Sequence, residues 1–143
     1  MSNRLPEKEF KKIFARVPRL CVDLVIQTKD GVILSKRDIE PWKGYWQLAG
    51  GSVYFGESIQ VAAKRIAKEE LGINIVVKKT LGYAEFLEEV QMVGRHSVSI
   101  VLLCTILSKK VTGSWQGSRI GFFKDLPKPV IPAHKKILKQ IAL

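Results

Sequence analysis

An amphipathic helix that carries an acidic residue on its apolar side most constrains what this chain can form. At about 100° per residue, the segment that begins near Glu57 places four apolar residues on one side, namely Ile59, Ala62, Ala63 and Ile66. Glu70 lies in the middle of that same side, whereas Lys64 and Lys68 lie on the opposite side. We therefore expect the helix to pack against a core while it carries a carboxylate into the contact.

A carboxylate in that position needs compensation. Burying an ionised carboxylate is costly unless a cation or a hydrogen-bond network offsets the cost, and the neighbouring Glu69 adds a second negative charge. A divalent metal ion held by both acids is one explanation. The other is that Arg65 neutralises Glu69 at i,i+4 spacing while Glu70 reaches solvent at the helix end. The residues of the helix leave both explanations open.

The rest of the chain predicts strands interleaved with helices. Helical periodicity covers 6–17 and 133–142 in addition to the central helix, and Asp30-Gly31 predicts a tight hairpin turn. Apolar runs rich in β-branched residues predict strands at 20–28, 32–35, 73–78, 81–88, 97–107 and 120–123. Three helices with these strands indicate an α/β or α+β sandwich.

The 143 residues contain no repeat, low-complexity tract or long linker, so we expect a single domain over 1–143. Apolar runs fall short of the roughly 20 residues of a membrane-spanning helix, and the first residues lack a secretory signal. We therefore expect a cytoplasmic protein with no membrane partner. Cys21 and Cys104 lie in β-like apolar runs, which favours buried, reduced thiols.

The net charge of +11 is concentrated at the two ends of the chain. Basic residues outnumber acidic ones in 1–20 and in 109–143, whereas the two balance between these segments. A basic surface favours anionic ligands such as nucleotides, and it leaves nonspecific RNA binding through the ends as an alternative. Because the lysines are scattered instead of clustered, a solubilising surface is the simpler explanation for most of them.

The spacing of glycine, arginine and glutamate around the helix resembles the Nudix hydrolase signature. The shared positions are Gly51, Glu57, Arg65 and the Glu-Glu-Leu-Gly-Ile run at 69–73. The resemblance implies the Nudix fold, a mixed β-sheet between helices. It also implies hydrolysis of a nucleoside diphosphate linked to another group, with Mg²⁺ as cofactor and Mn²⁺ as a substitute.

The resemblance implies a role for each of these residues. Glu69 and Glu70 would be metal ligands, and the carbonyl of Gly50 would be a third, because paired glycines let the backbone turn toward the ion. Arg65 would orient the glutamates or contact phosphate. Glu57, at the helix start, would be structural, as a cap or as the partner of a basic residue.

One position departs from the family pattern. Where the family has a glutamate directly after the arginine, this chain has Ile66, which neither coordinates a metal nor accepts a proton. Either catalysis has been lost, or the reaction uses one metal and takes its base from elsewhere. The second option has a precedent in the GDP-mannose mannosyl hydrolases, a subgroup similar in its aliphatic residue here, which cleaves at the sugar carbon instead of at phosphorus.

The similarity to that subgroup covers most of the chain. It includes Lys36-Arg37, Pro41 and Gly44-Tyr45-Trp46. The resemblance implies that Arg37 binds the diphosphate or the leaving nucleotide and that Gln116 supplies a further metal oxygen. Two positions differ, because Ser52 and Gly117 stand where the subgroup has an arginine and a histidine.

The remaining candidates are histidines, aromatics and acids. His96, at the start of a predicted strand, is a candidate substrate contact, with a hydrogen-bonded edge histidine as the alternative; His134 is expected to pack or cap. Tyr45 and its neighbouring tryptophans could stack a base or sugar, although packing is expected for Trp46. A base or ligand could also come from Glu85, Glu88 or Glu89, of which at least two are expected to be surface acids.

Taken together, these features predict a magnesium-dependent hydrolase of nucleoside diphosphate derivatives, with nucleotide sugars such as GDP-mannose as the foremost substrates. A pyrophosphohydrolase of oxidised or noncanonical nucleoside triphosphates is one alternative. A catalytically silent nucleotide- or RNA-binding module is another, prompted by Ile66 and by the basic ends. The oligomeric state is open, and a homodimer is in keeping with the resemblance.

Overall fold

The computed structural model describes residues 4–107 and 119–141. Within these residues the chain forms helices and strands in the order α1 (Glu7–Phe14), β1 (Arg19–Thr28), β2 (Gly31–Lys36), β3 (Trp46–Gln47), β4 (Ala49–Ser52), α2 (Ile59–Leu71), β5 (Ile75–Glu85), α3 (Glu88–Val93), β6 (Ser97–Ile106), β7 (Arg119–Phe123) and α4 (Pro132–Gln140). None of these helices is both long enough and apolar enough to cross a membrane.

The described strands form one mixed sheet. Its order is β3-β2-β1-β6-β5, while β4 pairs with β1 and β7 pairs with β2. β1 is parallel to β6 and antiparallel to β2 and β4. The central strand β1 is buried continuously from Cys21 to Ile26, as expected for a strand covered on both faces. The predicted mixed sheet between helices is confirmed.

The two faces of the sheet carry different helices. Val22 and Leu24 of β1 belong to the core beneath α2, whereas Val25 belongs to the core that contains Leu138 of α4. Because side chains alternate along a strand, Asp23 lies on the α4 face together with Val25. A carboxylate therefore enters a largely apolar layer at the centre of the sheet.

Several predicted boundaries need correction. The two strands predicted at 73–78 and 81–88 are one strand, β5, interrupted by register shifts between Val77 and Lys79 and between Thr80 and Gly82. Bulges break the alternation that marks a strand, so the pattern indicated two. Helix α1 is shorter than predicted at both ends, since it covers Glu7–Phe14. Helix α4 ends earlier than predicted, at Gln140.

Three short elements were not predicted. Helix α3 has only six residues and ends at Gly94 in the left-handed conformation, φ 65°. Strands β3 and β4 are short, and β4 contains two glycines, which have low strand propensity. The two short strands are ordered by pairing with β1 and β2 instead of by local preference.

Candidate functional site

Helix α2 presents the acidic pair from a well-defined position. The Ser58 side chain caps its first turn by accepting a hydrogen bond from the Val61 N–H at 3.1 Å. Gly72 ends the helix in the left-handed conformation, φ 68°, which few other residues adopt without strain. The apolar side is buried in the core at Ala62, Ala63, Ile66, Ala67 and Leu71. The two caps and this buried side fix where the last turn, with both glutamates, meets the sheet.

Glu70 points toward the sheet and not into bulk solvent. Its Oε2 accepts a hydrogen bond from the backbone N–H of Gly50 at 3.3 Å. Burial raises the pKa of this carboxyl to about 8, and the charges of Asp23 and Glu69 raise it further, while the Gly50 N–H and Arg37 oppose the rise. Of the second explanation offered by the sequence, the Arg65–Glu69 pair forms at 3.2 Å, whereas Glu70 turns toward Gly50 instead of reaching solvent. A metal held by both acids stays a prediction.

This pKa shift predicts a pH dependence of stability for the metal-free protein. Between the usual value of 4.5 and about 8, folded Glu70 keeps a proton that the unfolded chain has lost. The free energy of unfolding should therefore decrease as the pH rises through this range. Urea unfolding in EDTA at several pH values measures the slope. Glu70→Gln should flatten it, and equal slopes for the two proteins would contradict the assignment.

Arg65 joins the loop before α2 to the helix. Its Nε and Nη2 donate to the two oxygens of Glu57 at 2.7 and 3.0 Å, and Nη2 also donates to the Ser52 carbonyl at 2.7 Å. Nη1 donates to Glu69 at 3.2 Å, and the guanidinium carbon lies 3.7 Å from the centre of the Tyr54 ring. Arg65 thus orients Glu69, the first of its two predicted roles, and Glu57 has the structural role expected of it.

Gly50 is required for space and not for a turn. Both paired glycines lie in β4 with ordinary φ values, contrary to the expectation that they bend the backbone. A Cβ on Gly50 would lie 1.8 Å from Oδ1 of Asp23 and 2.8 Å from the Val22 carbonyl. Gly50 and Asp23 are direct partners across β1 and β4, so only glycine lets the carboxylate fold over the strand.

Asp23 is held by a buried histidine. The Leu48 N–H donates to Nδ1 of His134 at 3.1 Å, so Nδ1 carries no proton and Nε2 does. The Nε2–H then donates to Oδ2 of Asp23, also at 3.1 Å. Asp23 and His134 are 5% and 3% exposed, so the pair is sealed from water. His134 therefore packs as expected, and it links α4 to β1 and to Leu48, the residue just before β4.

Arg37 lies at the edge of the same site. Its Nε donates to the Pro41 carbonyl at 2.5 Å and its Nη1 to Oε1 of Gln47 at 3.3 Å. Burial lowers the pKa of this guanidinium, whereas the charges of Glu89 and Glu70 raise it. Arg37 and Glu70 affect each other's pKa, so their charges lie within electrostatic range of one another.

The structure places the other predicted contacts less centrally. Tyr45 packs against Trp42 with ring centres 5.1 Å apart, and its carbonyl accepts from the Arg37 N–H at 2.8 Å, so it shapes the Arg37 loop. His96 lies just before β6, where its carbonyl accepts from the Arg19 N–H at 2.8 Å. Gln116 and Gly117 lie outside the described residues.

Two of the three acids at positions 85, 88 and 89 are exposed, as expected. Glu85 and Glu88 are exposed, whereas Glu89 is buried and pairs with Arg95 at 3.1 Å. Trp46 packs edge-to-face on Phe123 with ring centres 4.8 Å apart, as the packing interpretation predicted.

Sequence reasoning missed Asp23 and Arg19. An aspartate in the middle of an otherwise apolar strand was a signal that a polar partner lay beneath the sheet. Arg19 donates to the Ser52 hydroxyl at 3.0 Å. A guanidinium therefore lies beside position 52, but it comes from the neighbouring strand. No local sequence pattern indicates that Arg19 supplies the guanidinium beside Ser52, because the two residues are 33 positions apart.

Ile66 belongs to the core. It is 2% exposed in the cluster beneath α2, and its Cδ1 would lie 3.7 Å from a Cβ on Gly51. A side chain at this position therefore faces β4 directly, and in this chain the contact is apolar. Any proton acceptor used by the protein is therefore a residue other than Ile66.

The donors around the acidic pair fit magnesium. Glu69, Glu70 and the Gly50 carbonyl offer only oxygen, and Mg²⁺ usually takes one or two carboxylates and completes its shell with water and phosphate. Over residues 4–107 and 119–141, His, Cys, Asp and Glu side chains form no group of three placed to hold a metal. The half-buried Glu70 carboxylate accepts a hydrogen bond from a backbone N–H and takes part in none of the ion pairs of the described residues.

Comparison with known proteins agrees with this architecture. The NUDIX domain model matches residues 17–136. The chain is 40% identical over 84 residues to the low-salt glycan biosynthesis protein Agl8 of Haloferax volcanii, a match that covers 59% of this chain and 54% of that protein. The match therefore spans about half the length of this relative.

Two further proteins cover more of the chain. The ADP-ribose pyrophosphatase of Methanocaldococcus jannaschii is 32% identical over 124 residues, which are 85% of this chain and 72% of that protein. The crystal structure of a MutT NUDIX hydrolase from Burkholderia pseudomallei has a TM-score of 0.76 and 28% identity, covering 88% of this chain and 99% of that one. The family match over most of its length shows that this chain belongs to the Nudix family.

Proposed function

We propose that this protein is a magnesium-dependent hydrolase of nucleoside diphosphate derivatives. The observation that carries the proposal is the half-buried Glu70 carboxylate, which accepts a hydrogen bond from the Gly50 backbone and forms no ion pair within the described residues. Such a group is costly to ionise unless a cation is supplied. Mg²⁺ bound by Glu69, Glu70 and the Gly50 carbonyl would withdraw charge from the diphosphate and activate the bond to be broken.

The protein's own residues would bind and orient the diphosphate. The charge of Arg37 lies within electrostatic range of Glu70 and would add positive potential where phosphate oxygens would lie. Arg65 keeps one oxygen of Glu69 occupied and so fixes the direction of the other. The buried hydrogen bond between Asp23 and His134 fixes the side chain opposite Gly50 in the strand pair, and would so help to position the Gly50 carbonyl before substrate arrives.

Nucleotide sugars are the substrate class that we propose within this function. The relatives support it by their descriptions, since one is a glycan biosynthesis protein and another an ADP-ribose pyrophosphatase. The sequence similarity to GDP-mannose mannosyl hydrolases points the same way. Ser52 and Gly117 differ from the residues of that subgroup. The nucleobase, the sugar and the atom that water attacks are therefore the properties to be measured.

Ile66 favours a second candidate, a nucleotide-binding module without catalysis. This residue is part of the apolar core and contributes neither a ligand nor a base. Such a module would bind nucleoside diphosphates with magnesium but would not turn them over.

A substrate panel separates the two candidates. ADP-ribose, UDP-glucose, GDP-mannose and oxidised nucleoside triphosphates are incubated with the protein and Mg²⁺, and the products are separated by chromatography. Hydrolysis of the diphosphate compounds supports the enzyme. Binding of the same compounds without turnover supports the silent module, and preference for the triphosphates would overturn the proposed substrate class. Reaction in ¹⁸O-labelled water shows whether oxygen enters at phosphorus or at the sugar carbon.

A further inference from the structure

An open groove of about 610 Å³ lies beside the first turn of α2, on the face of the sheet that α2 covers. Its floor is apolar and consists of Val77, Ile100 and Leu102 from β5 and β6, with Ile59 of α2 at one side. Val77, Ile100 and Ile59 pack on the core beneath α2 but are only partly buried, so apolar surface is open to solvent here. The volume lies within the range of pockets that hold small molecules.

The bulges of β5 determine which of its residues face the groove. Ile100 and Leu102 of β6 both belong to the core beneath α2, so the β5 residues paired with them face the same side of the sheet. Those partners are Tyr83 and Thr80, which are three residues apart instead of the two of a regular strand. The largely exposed Tyr83 side chain therefore lies at the rim of the groove, with Thr80 beside it.

The groove lies next to an edge of the sheet. In the part of the chain that the structure describes, β5 pairs with β6 alone. A free edge can accept a further strand, but bulges and lysines on an edge strand are features that prevent such pairing. The groove therefore fits a small molecule better than an extended peptide or the β5 strand of a second copy.

The rim of the groove is positively charged. Lys78 and Lys79 line it, and no aspartate or glutamate is among the described residues that line it. Neither lysine takes part in an ion pair within residues 4–107 and 119–141. The first turn of α2 carries no acid and adds the partial positive charge of a helix N-terminus. An apolar floor below a basic rim complements a ligand with an apolar body and an anionic head.

We propose that this groove binds an amphiphilic anion, a single acyl or alkyl chain that ends in a carboxylate or a phosphate. The chain would lie on the apolar floor, and the head group would contact Lys78 and Lys79. The first residue of α2 lies about 16 Å along the helix from Glu70, so this site is separate from the acidic pair. It is a second ligand site whether or not the protein hydrolyses nucleotides.

Titration calorimetry with decanoate and with decyl phosphate, each kept below the concentration at which it forms micelles, tests the groove. The unmodified chain should bind at least one of them, and the tighter ligand identifies the head group. Acetate lacks the chain and decyltrimethylammonium has the opposite charge, so each should bind at least about 10-fold more weakly. Absence of binding by both anions, or equal affinity for decyltrimethylammonium, would overturn the proposal.

Two pairs of lysines locate the binding. Lys78→Gln/Lys79→Gln should weaken binding of the tighter anion about 10-fold. Lys64→Gln/Lys68→Gln is the matched control, because it removes the same net charge from the exposed side of α2, outside the groove, and should bind as the unmodified chain does. Equal affinity of the two double variants would show that only the overall charge attracts the anion and would overturn the site.

A third variant tests the floor of the groove without a change of charge. Thr80 is exposed and faces the groove, so the tryptophan of Thr80→Trp should fill it and abolish binding. Full affinity in the folded variant would contradict the proposed position of the chain. If circular dichroism shows that Thr80→Trp does not fold, the two pairs of exposed lysines still decide the question.

Discussion

Replacing Glu70 by glutamine should lower kcat/KM for magnesium-dependent hydrolysis by about 100-fold or more. Glutamine keeps the size of the side chain and a carbonyl oxygen, and it can still accept the hydrogen bond from the Gly50 N–H. It removes the negative charge that would hold the metal. The measurement is the initial rate at saturating Mg²⁺ with the substrate that the panel identifies.

The controls separate a lost ligand from a lost fold. Glu85→Gln removes an exposed acid outside the site and should leave the rate unchanged. Glu70→Gln should unfold at the same temperature as the original protein or a higher one at about pH 8 in EDTA, since it removes a carboxyl that is costly to ionise. A variant with full activity would exclude Glu70 as a metal ligand.

Replacing Arg65 by methionine should lower the free energy of unfolding by about 3 kcal/mol. The change leaves the Glu57 carboxylate, whose side chain is only 10% exposed, without its cation. It also removes the bond to the Ser52 carbonyl and the contact with the Tyr54 ring. Urea unfolding monitored by circular dichroism measures the loss.

Lys64→Met is the matched control, because it removes a charge from the exposed side of the same helix and should change stability by no more than about 0.5 kcal/mol. The double variant Arg65→Met/Glu57→Gln should be less destabilised than the sum of the single variants, because the two residues share one interaction. If Arg65→Met lowered the free energy of unfolding as little as the control does, the contacts of Arg65 with Glu57, Ser52 and Tyr54 would contribute little to stability.

The sequence predicted those parts of the fold whose signals are local. Helix α2 follows from apolar spacing and ends at Gly72, and β1 and β6 follow from long β-branched runs. The bulged strand β5 was predicted as two strands because its register shifts interrupt the alternation. Helix α3 escaped prediction because it has only six residues, and strand β4 because it is short and is ordered by pairing with β1.

In the candidate site, too, the sequence predicted the residues that lie close together along the chain and not the contacts between distant ones. Glu69, Glu70, Arg65 and Glu57 lie on one helix or at its start, so their spacing was enough to predict a charged cluster on its inner side. The turn expected at Gly50 was wrong, because the need for glycine there comes from the Asp23 side chain across the strand pair. The phosphate-binding role of Arg37 stays a prediction that rests on the family resemblance.

The sequence by itself determined that one helix carries an acid into a core and that the chain resembles Nudix proteins, since both follow from offsets within about 25 consecutive residues. Tertiary structure decided which residues surround that acid. Asp23 meets His134 across 111 positions and Arg19 meets Ser52 across 33. These contacts depend on strand register and on the packing of α4, which side-chain periodicity does not specify.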